Sequence, residues 1–132
     1  MTTVLFACIH NAGRSQMAAA FFNRMVDPEK ADAISAGTQP AGRVHPEVVA
    51  TMRELGIDLS AVRPRLLTPE LGRTAQLLVT MGCGDECPFI VGVEREDWDL
   101  IDPKGKTAEE VRHLRDDIKR RVEALVASRR WL

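Results

Sequence analysis

The run TVLFAC at residues 3–8 is apolar from its second residue to its last. A strand with one wet face alternates apolar and polar residues, so an unbroken apolar run reads as a strand buried on both faces. LLVTM at residues 77–81 repeats the pattern. Between them the period changes from two to about 3.6. Ser15 to Met25 brings Met17, Phe21, Phe22 and Met25 to one helix face. Val44, Val48, Met52 and Leu55 recur at helical spacing, and Gly56 supplies a stop. A long helix is expected from about Thr107 to Ser128. Thr107 and Glu110 form a capping box, and Val111, Leu114, Ile118, Val122 and Leu125 form its buried stripe. Acidic residues gather near its start and arginines near its end, which suits the helix dipole. Ala33 to Ala36, ended by Gly37, and Val93 to Leu100 are weaker strand candidates. Strands alternating with helices imply an α/β fold with a parallel sheet covered on both faces. The length of 132 residues suits one domain spanning 1–132.

In such sheets ligands bind at the carboxyl ends of the strands. Cys8 ends the first strand, Cys83 follows LLVTM, and Asp102 follows the last strand candidate. Reactive side chains therefore converge on one edge of the sheet. Composition narrows what they meet there. The net charge is -1, so no basic excess points to nucleic acid. No apolar run approaches the roughly 20 residues of a membrane span. No charged segment followed by a long apolar one opens the chain, which favours the cytoplasm, where thiols stay reduced. Three cysteines there suggest chemistry or metal before structural staples.

CIHNAGR, residues 8–14, sets a cysteine and an arginine at the ends of a strand-to-helix turn. A thiol attacks as thiolate, which a helix N-terminus and a nearby arginine both favour. Consecutive backbone N–H groups in a tight loop bind anions. Gly13 permits close backbone approach, and Arg14 can grip a tetrahedral oxyanion with two nitrogens. Ser15 can donate to the Cys8 sulfur, Asn11 can hold the loop's shape, and His10 can tune its charge. The bland alternative is a buried cysteine followed by a surface arginine.

MGCGDECP carries Cys83 and Cys87 among glycines and a proline. They could be inert, could join a zinc site with Cys8, His10 or His45, or could pass a disulfide along with Cys8. The spacing matches no common zinc motif. Asp102, before Pro103, reads as a turn or as a general acid. Gly105-Lys106-Thr107 lacks the glycine of a nucleotide-binding loop, because position 100 is leucine. His113 lies off the buried stripe and is expected in solvent.

CIHNAGRSQMAAAF, SAGT, VTMGCGDEC, WDLIDPKGK and the final VRHLRDDIKRRV together resemble, in order, the arsenate reductases of the low-molecular-weight tyrosine phosphatase fold. That resemblance implies a four-stranded parallel sheet flanked by helices, in a flavodoxin-like topology. It implies Cys8 as nucleophile, residues Ile9, His10, Asn11, Ala12, Gly13, Arg14 and Ser15 as the substrate-binding loop, and Asp102 as general acid. Cys83 and Cys87 are the resolving thiols that the thioredoxin-coupled branch would use. Arsenate is then reduced to arsenite without a bound cofactor, with thioredoxin as the external reductant, by a monomer. One branch carries a glutamate after SQMA that accompanies a potassium ion. This chain has Ala18, Ala19 and Ala20 there, so no potassium or other metal site is expected. Two alternatives use the same loop. One is arsenate reduction through mycothiol or glutathione, with the later cysteines dispensable. The other is a low-molecular-weight protein tyrosine phosphatase. Against the latter, the chain has no tyrosine, and Lys104 and Gly105 follow Asp102-Pro103.

Overall fold

The computed structural model describes residues 1–82, 87 and 89–132. β1 (Thr2–Cys8), β2 (Ala31–Gly37), β3 (Leu77–Thr80) and β4 (Glu94–Asp97) form one sheet in the order β2-β1-β3-β4. All three pairings are parallel, with Cys8 opposite Gly37 and Ala7 opposite Thr80. The sheet is the expected four-stranded parallel one. Its central strand β1 is buried from Val4 to Cys8 because it has a neighbour on each edge and a cover on each face.

The two covers differ. Val4, Phe6, Cys8, Leu77 and Val79 face a large core built with α1 (Arg14–Met25), α2 (Pro46–Arg53) and α4 (Ala108–Ser128). The expected stripe of α4 lies in it, with Ile118 and Val122 fully buried. Both hydrogen bonds of the Thr107–Glu110 capping box are present. The alternate residues Leu5, Ala7 and Leu78 face a smaller cluster with Ala36, Leu67, Ala75, Cys87 and Ile90. Its only helical cover among the described residues is α3 (Pro69–Arg73), five residues long and absent from the sequence-level expectation.

Element ends differ modestly from expectation. α2 stops at Arg53, and Gly56 follows in the left-handed conformation at φ +77°. β4 occupies only Glu94–Asp97 of the broader 93–100 candidate, and these residues are charged because the strand is an exposed edge. The last turn of α4 holds no basic residue, since Arg129 and Arg130 fall just beyond it. His113 is exposed, as expected, beside Glu109 at 3.8 Å. No described helix is long and apolar enough to cross a membrane.

Candidate active site

The turn from β1 into α1 is organised by its carbonyls. Those of Cys8, Ile9, His10 and Ala12 accept from the backbone N–H of Thr38, Gln39, Ala41 and His45, at 3.2, 2.8, 2.9 and 2.9 Å. The carbonyl of Asn11 accepts from Gln16 Nε2 at 3.1 Å, and that of Gly13 from Met17 N at 2.9 Å. In a trans peptide the following N–H points the opposite way. The N–H groups of residues 9–15 donate to no protein acceptor among the described residues. α1 also starts at Arg14 with Gly13 as its N-cap, so no side chain caps it. The result is a concavity of backbone donors at a helix N-terminus, which attracts negative charge.

Asn11 sits at φ 50°, a region its short polar side chain tolerates. Its amide locks the loop. Nδ2 donates to Ser15 Oγ at 2.7 Å, while Oδ1 accepts from Arg65 N at 3.0 Å and Gln16 Nε2 at 3.1 Å. Since Asn11 donates to it, the Ser15 hydroxyl proton is free to point at Cys8 Sγ, 2.9 Å away. A hydroxyl so aimed stabilises a thiolate. Cys8 is a free thiol, 1% exposed.

Arg14 is buried, 4% exposed. Its Nη1 donates to the Leu100 carbonyl at 3.3 Å, and its Nε is buried without a partner. Nη2 lies 4.0 Å from Asp102 Oδ2. A buried guanidinium with an unused donor is costly unless an acceptor reaches it, and a tetrahedral oxyanion in the loop would. Asp102 is half-exposed, and its other oxygen accepts from Lys104 N at 3.0 Å. Beside the loop a cavity of about 440 Å³ is lined by His10, Gln39, Pro40, Ala41, His45 and Lys104, with no Phe, Tyr or Trp among the described residues. Burial holds the His45 pKa below its ordinary value, against the pull of Glu47 and Asp102.

The expected Cys8, Asn11, Arg14, Ser15 and Asp102 thus meet at the carboxyl edge of the sheet. Cys87 does not join them. It lies buried in the smaller cluster, on the other face from the Cys8 side chain, and is disulfide-bonded. Cys83 lies outside the described residues. Gly82 meets the site directly: at φ +89°, a Cβ there would overlap Arg14 Nη1. The supports that the motif did not reveal are Gln16, Arg65, Leu100 and Gly37, where a Cβ would lie 2.6 Å from the Ile9 carbonyl. Gln16, Gly37 and Leu100 fall within the segments SQMA, SAGT and WDLIDPKGK, without a role read for them, and Arg65 falls within none.

The sequence profile of the low molecular weight phosphotyrosine protein phosphatases matches residues 3–130. The chain belongs to that family. Within it, the chain is similar to proteins that handle arsenic. It is 35% identical over 130 residues to the glutaredoxin arsenate reductase of Synechocystis, which covers 96% of this chain and 98% of that protein. A solved thioredoxin-dependent arsenate reductase of Corynebacterium glutamicum superposes with a TM-score of 0.83 at 35% identity. The match covers 97% of this chain and 61% of that one, so this chain spans about three-fifths of its length. An arsenate reductase solved in the phosphate binding state gives a TM-score of 0.79 at 34% identity, over 97% of this chain and 98% of that one.

Proposed function

We propose that this phosphatase-fold protein reduces arsenate to arsenite with Cys8 as nucleophile. The observation that carries the reading is the Cys8 sulfur at the base of an open N–H cradle, in a chain with two further cysteines. A phosphatase displaces phosphorus without reducing it and needs one cysteine. Reduction of arsenic by two electrons needs a disulfide's worth of sulfur.

Arsenate binds to the N–H groups of residues 9–15 and to Arg14. The Cys8 thiolate attacks arsenic, and Asp102 gives its proton to the departing hydroxide, which leaves as water. Cys83 attacks the Cys8 sulfur. The arsenic–sulfur bond breaks with its electron pair on arsenic, releasing arsenite and leaving a Cys8–Cys83 disulfide. Cys87 thiolate then attacks Cys83 and frees Cys8 as thiolate. An external dithiol of the thioredoxin type supplies two electrons and two protons to the Cys83–Cys87 disulfide and becomes a disulfide itself. A free Cys8 in the same structure as a disulfide-bonded Cys87 supports this ending. No bound cofactor enters the scheme, and it suits a reducing cytoplasm.

The test is arsenite production with thioredoxin, its reductase and NADPH. Cys8→Ser is expected to abolish it, and Cys87→Ser to stop after one turnover. Multiple turnovers without Cys87 would sink the relay. The Synechocystis relative is named for glutaredoxin, which suits one second reading: Cys8 hands the arsenic to a small thiol such as glutathione or mycothiol. Sustained turnover of a Cys83→Ser/Cys87→Ser variant with glutathione and glutaredoxin would establish it. The cavity holds no Phe, Tyr or Trp among the described residues to grip a phenol ring, which argues against a phosphotyrosine substrate, and p-nitrophenyl phosphate is expected to turn over far more slowly than arsenate.

A further inference from the structure

Cys87 is tethered by a charge chain that none of the steps above uses. Thr80 Oγ1, at the end of β3, donates to Asp97 Oδ1 on the neighbouring edge strand. The same carboxylate oxygen pairs with Arg95 Nε at 2.9 Å. Arg95 Nη1 then reaches the Cys87 carbonyl at 3.5 Å. Residues 95 and 97 stand opposite Leu78 and Thr80, so both belong to the face of the sheet where Cys87 is packed. Hydrogen bonds from Thr80 and then Arg95 hold the Asp97 carboxyl below its ordinary range, so it stays charged at neutral pH.

The setting raises a problem of access. Cys87 is disulfide-bonded and only 4% exposed, among Leu5, Ala7, Leu78 and Ile90. Thiol–disulfide exchange needs the attacking sulfur in line with the bond it breaks. A protein dithiol cannot reach a sulfur so placed. For attack at the Cys87 sulfur, Cys87 must leave this packing and its carbonyl must leave Arg95. The tether is suited to opening. Arg95 and Asp97 are 26% and 65% exposed, and an exposed ion pair is weak and screened by salt.

We propose that Arg95 is a positioning residue, oriented by Asp97, that latches Cys87 into its buried place and so governs how fast an external dithiol reduces its disulfide. The inference builds on the relay reading, yet it is read on a separate step. In that step the reductant's two thiols supply two electrons and two protons. The disulfide becomes two thiols, and the reductant becomes a disulfide. Arg95 takes no part in this exchange and acts only on the approach.

The test uses the full chain with Cys8→Ser, so that only Cys83 and Cys87 can pair. The oxidised protein is mixed with dithiothreitol, and the new thiols are counted against time. Removing the latch with Arg95→Gln is expected to speed reduction about fivefold or more, and Asp97→Asn to do the same more weakly. The unsubstituted latch is expected to open faster as salt rises, while Arg95→Gln loses that salt dependence. A merely structural role would not produce that loss. Reduction that is unchanged or slower in both variants, or a salt dependence kept by Arg95→Gln, overturns the proposal. If Arg95→Gln fails to fold, Asp97→Asn alone decides, by the same two readouts. Failure of the relay itself shows instead as continued turnover by Cys87→Ser, which this measurement does not touch.

Discussion

Ser15 links two functions that sequence reasoning treated separately. Its oxygen accepts from Asn11 at 2.7 Å and faces Cys8 Sγ at 2.9 Å. Ser15→Ala removes the hydroxyl that faces the attacking sulfur; a hydrogen bond to a charged group contributes about 1.5–3 kcal/mol, or roughly tenfold or more in rate. Iodoacetamide alkylation of Cys8 at neutral pH is expected to slow by that factor, and the first arsenite-forming turnover with it. Equal alkylation rates would show that the serine only shapes the loop. Gly82 makes the opposite point, that an absent side chain can be a site residue. Gly82→Ala strains a left-handed backbone by about 1–2 kcal/mol and drives a methyl into Arg14. The KM for arsenate is expected to rise about tenfold or more, the loss of one charged hydrogen bond. An unchanged KM would mean that Arg14 does not grip the substrate. Cys8, Asn11, Arg14 and Ser15 were legible because strand, loop and helix start are contiguous. Arg65 and Leu100 were not, because they reach the loop across 54 and 86 positions and act through backbone atoms, which any residue type carries.

At the scale of elements, the apolar runs and the capping box marked β1, β3 and α4 because burial and capping constrain residue type strongly. β4 reads as ERED and carries no apolar signal, and α3 is too short to show a period. Pairing between elements is equally hidden. Glu54, just past α2, accepts from Arg112 Nη2 and Arg115 Nη1 of α4, each at 2.8 Å. Arg115 also donates to the Thr51 carbonyl at 2.8 Å. The Arg112 hydrogen bond, then that of Arg115, holds the Glu54 carboxyl below its ordinary value. A carboxyl depressed by folding stabilises the protein above its unfolded value of 4.5 and loses that contribution as pH falls through the folded value. Glu54→Gln is therefore expected to lower the melting temperature by a few degrees at neutral pH. The gap from wild type should close in acid, as pH falls below 4.5 and through the lower folded value. A gap independent of pH would assign the effect to packing.

The molecule as a whole is a sheet with unequal covers, and that asymmetry fits a split between holding an oxyanion and moving a disulfide. Cys8 points into the large helical core, which fixes the loop above it. Cys87 belongs to the small cluster, closed by α3 and by Ile90, whose Cδ1 would lie 1.9 Å from a Cβ on Gly72. Regions with few buried apolar contacts open at lower free energy than the global core. Two substitutions separate the routes. Ile118→Ala empties a fully buried site in α4 and is expected to lower global stability by about 2–5 kcal/mol in urea. It leaves the thin cover untouched, so the disulfide of Cys87 should be reduced by dithiothreitol at the wild-type rate. Ile90→Ala loosens the thin cover and should speed that reduction, along with hydrogen exchange in β4. If Ile118→Ala accelerated reduction as much as Ile90→Ala, Cys87 would be reached only through global unfolding. The two faces of the sheet would then be one cooperative unit.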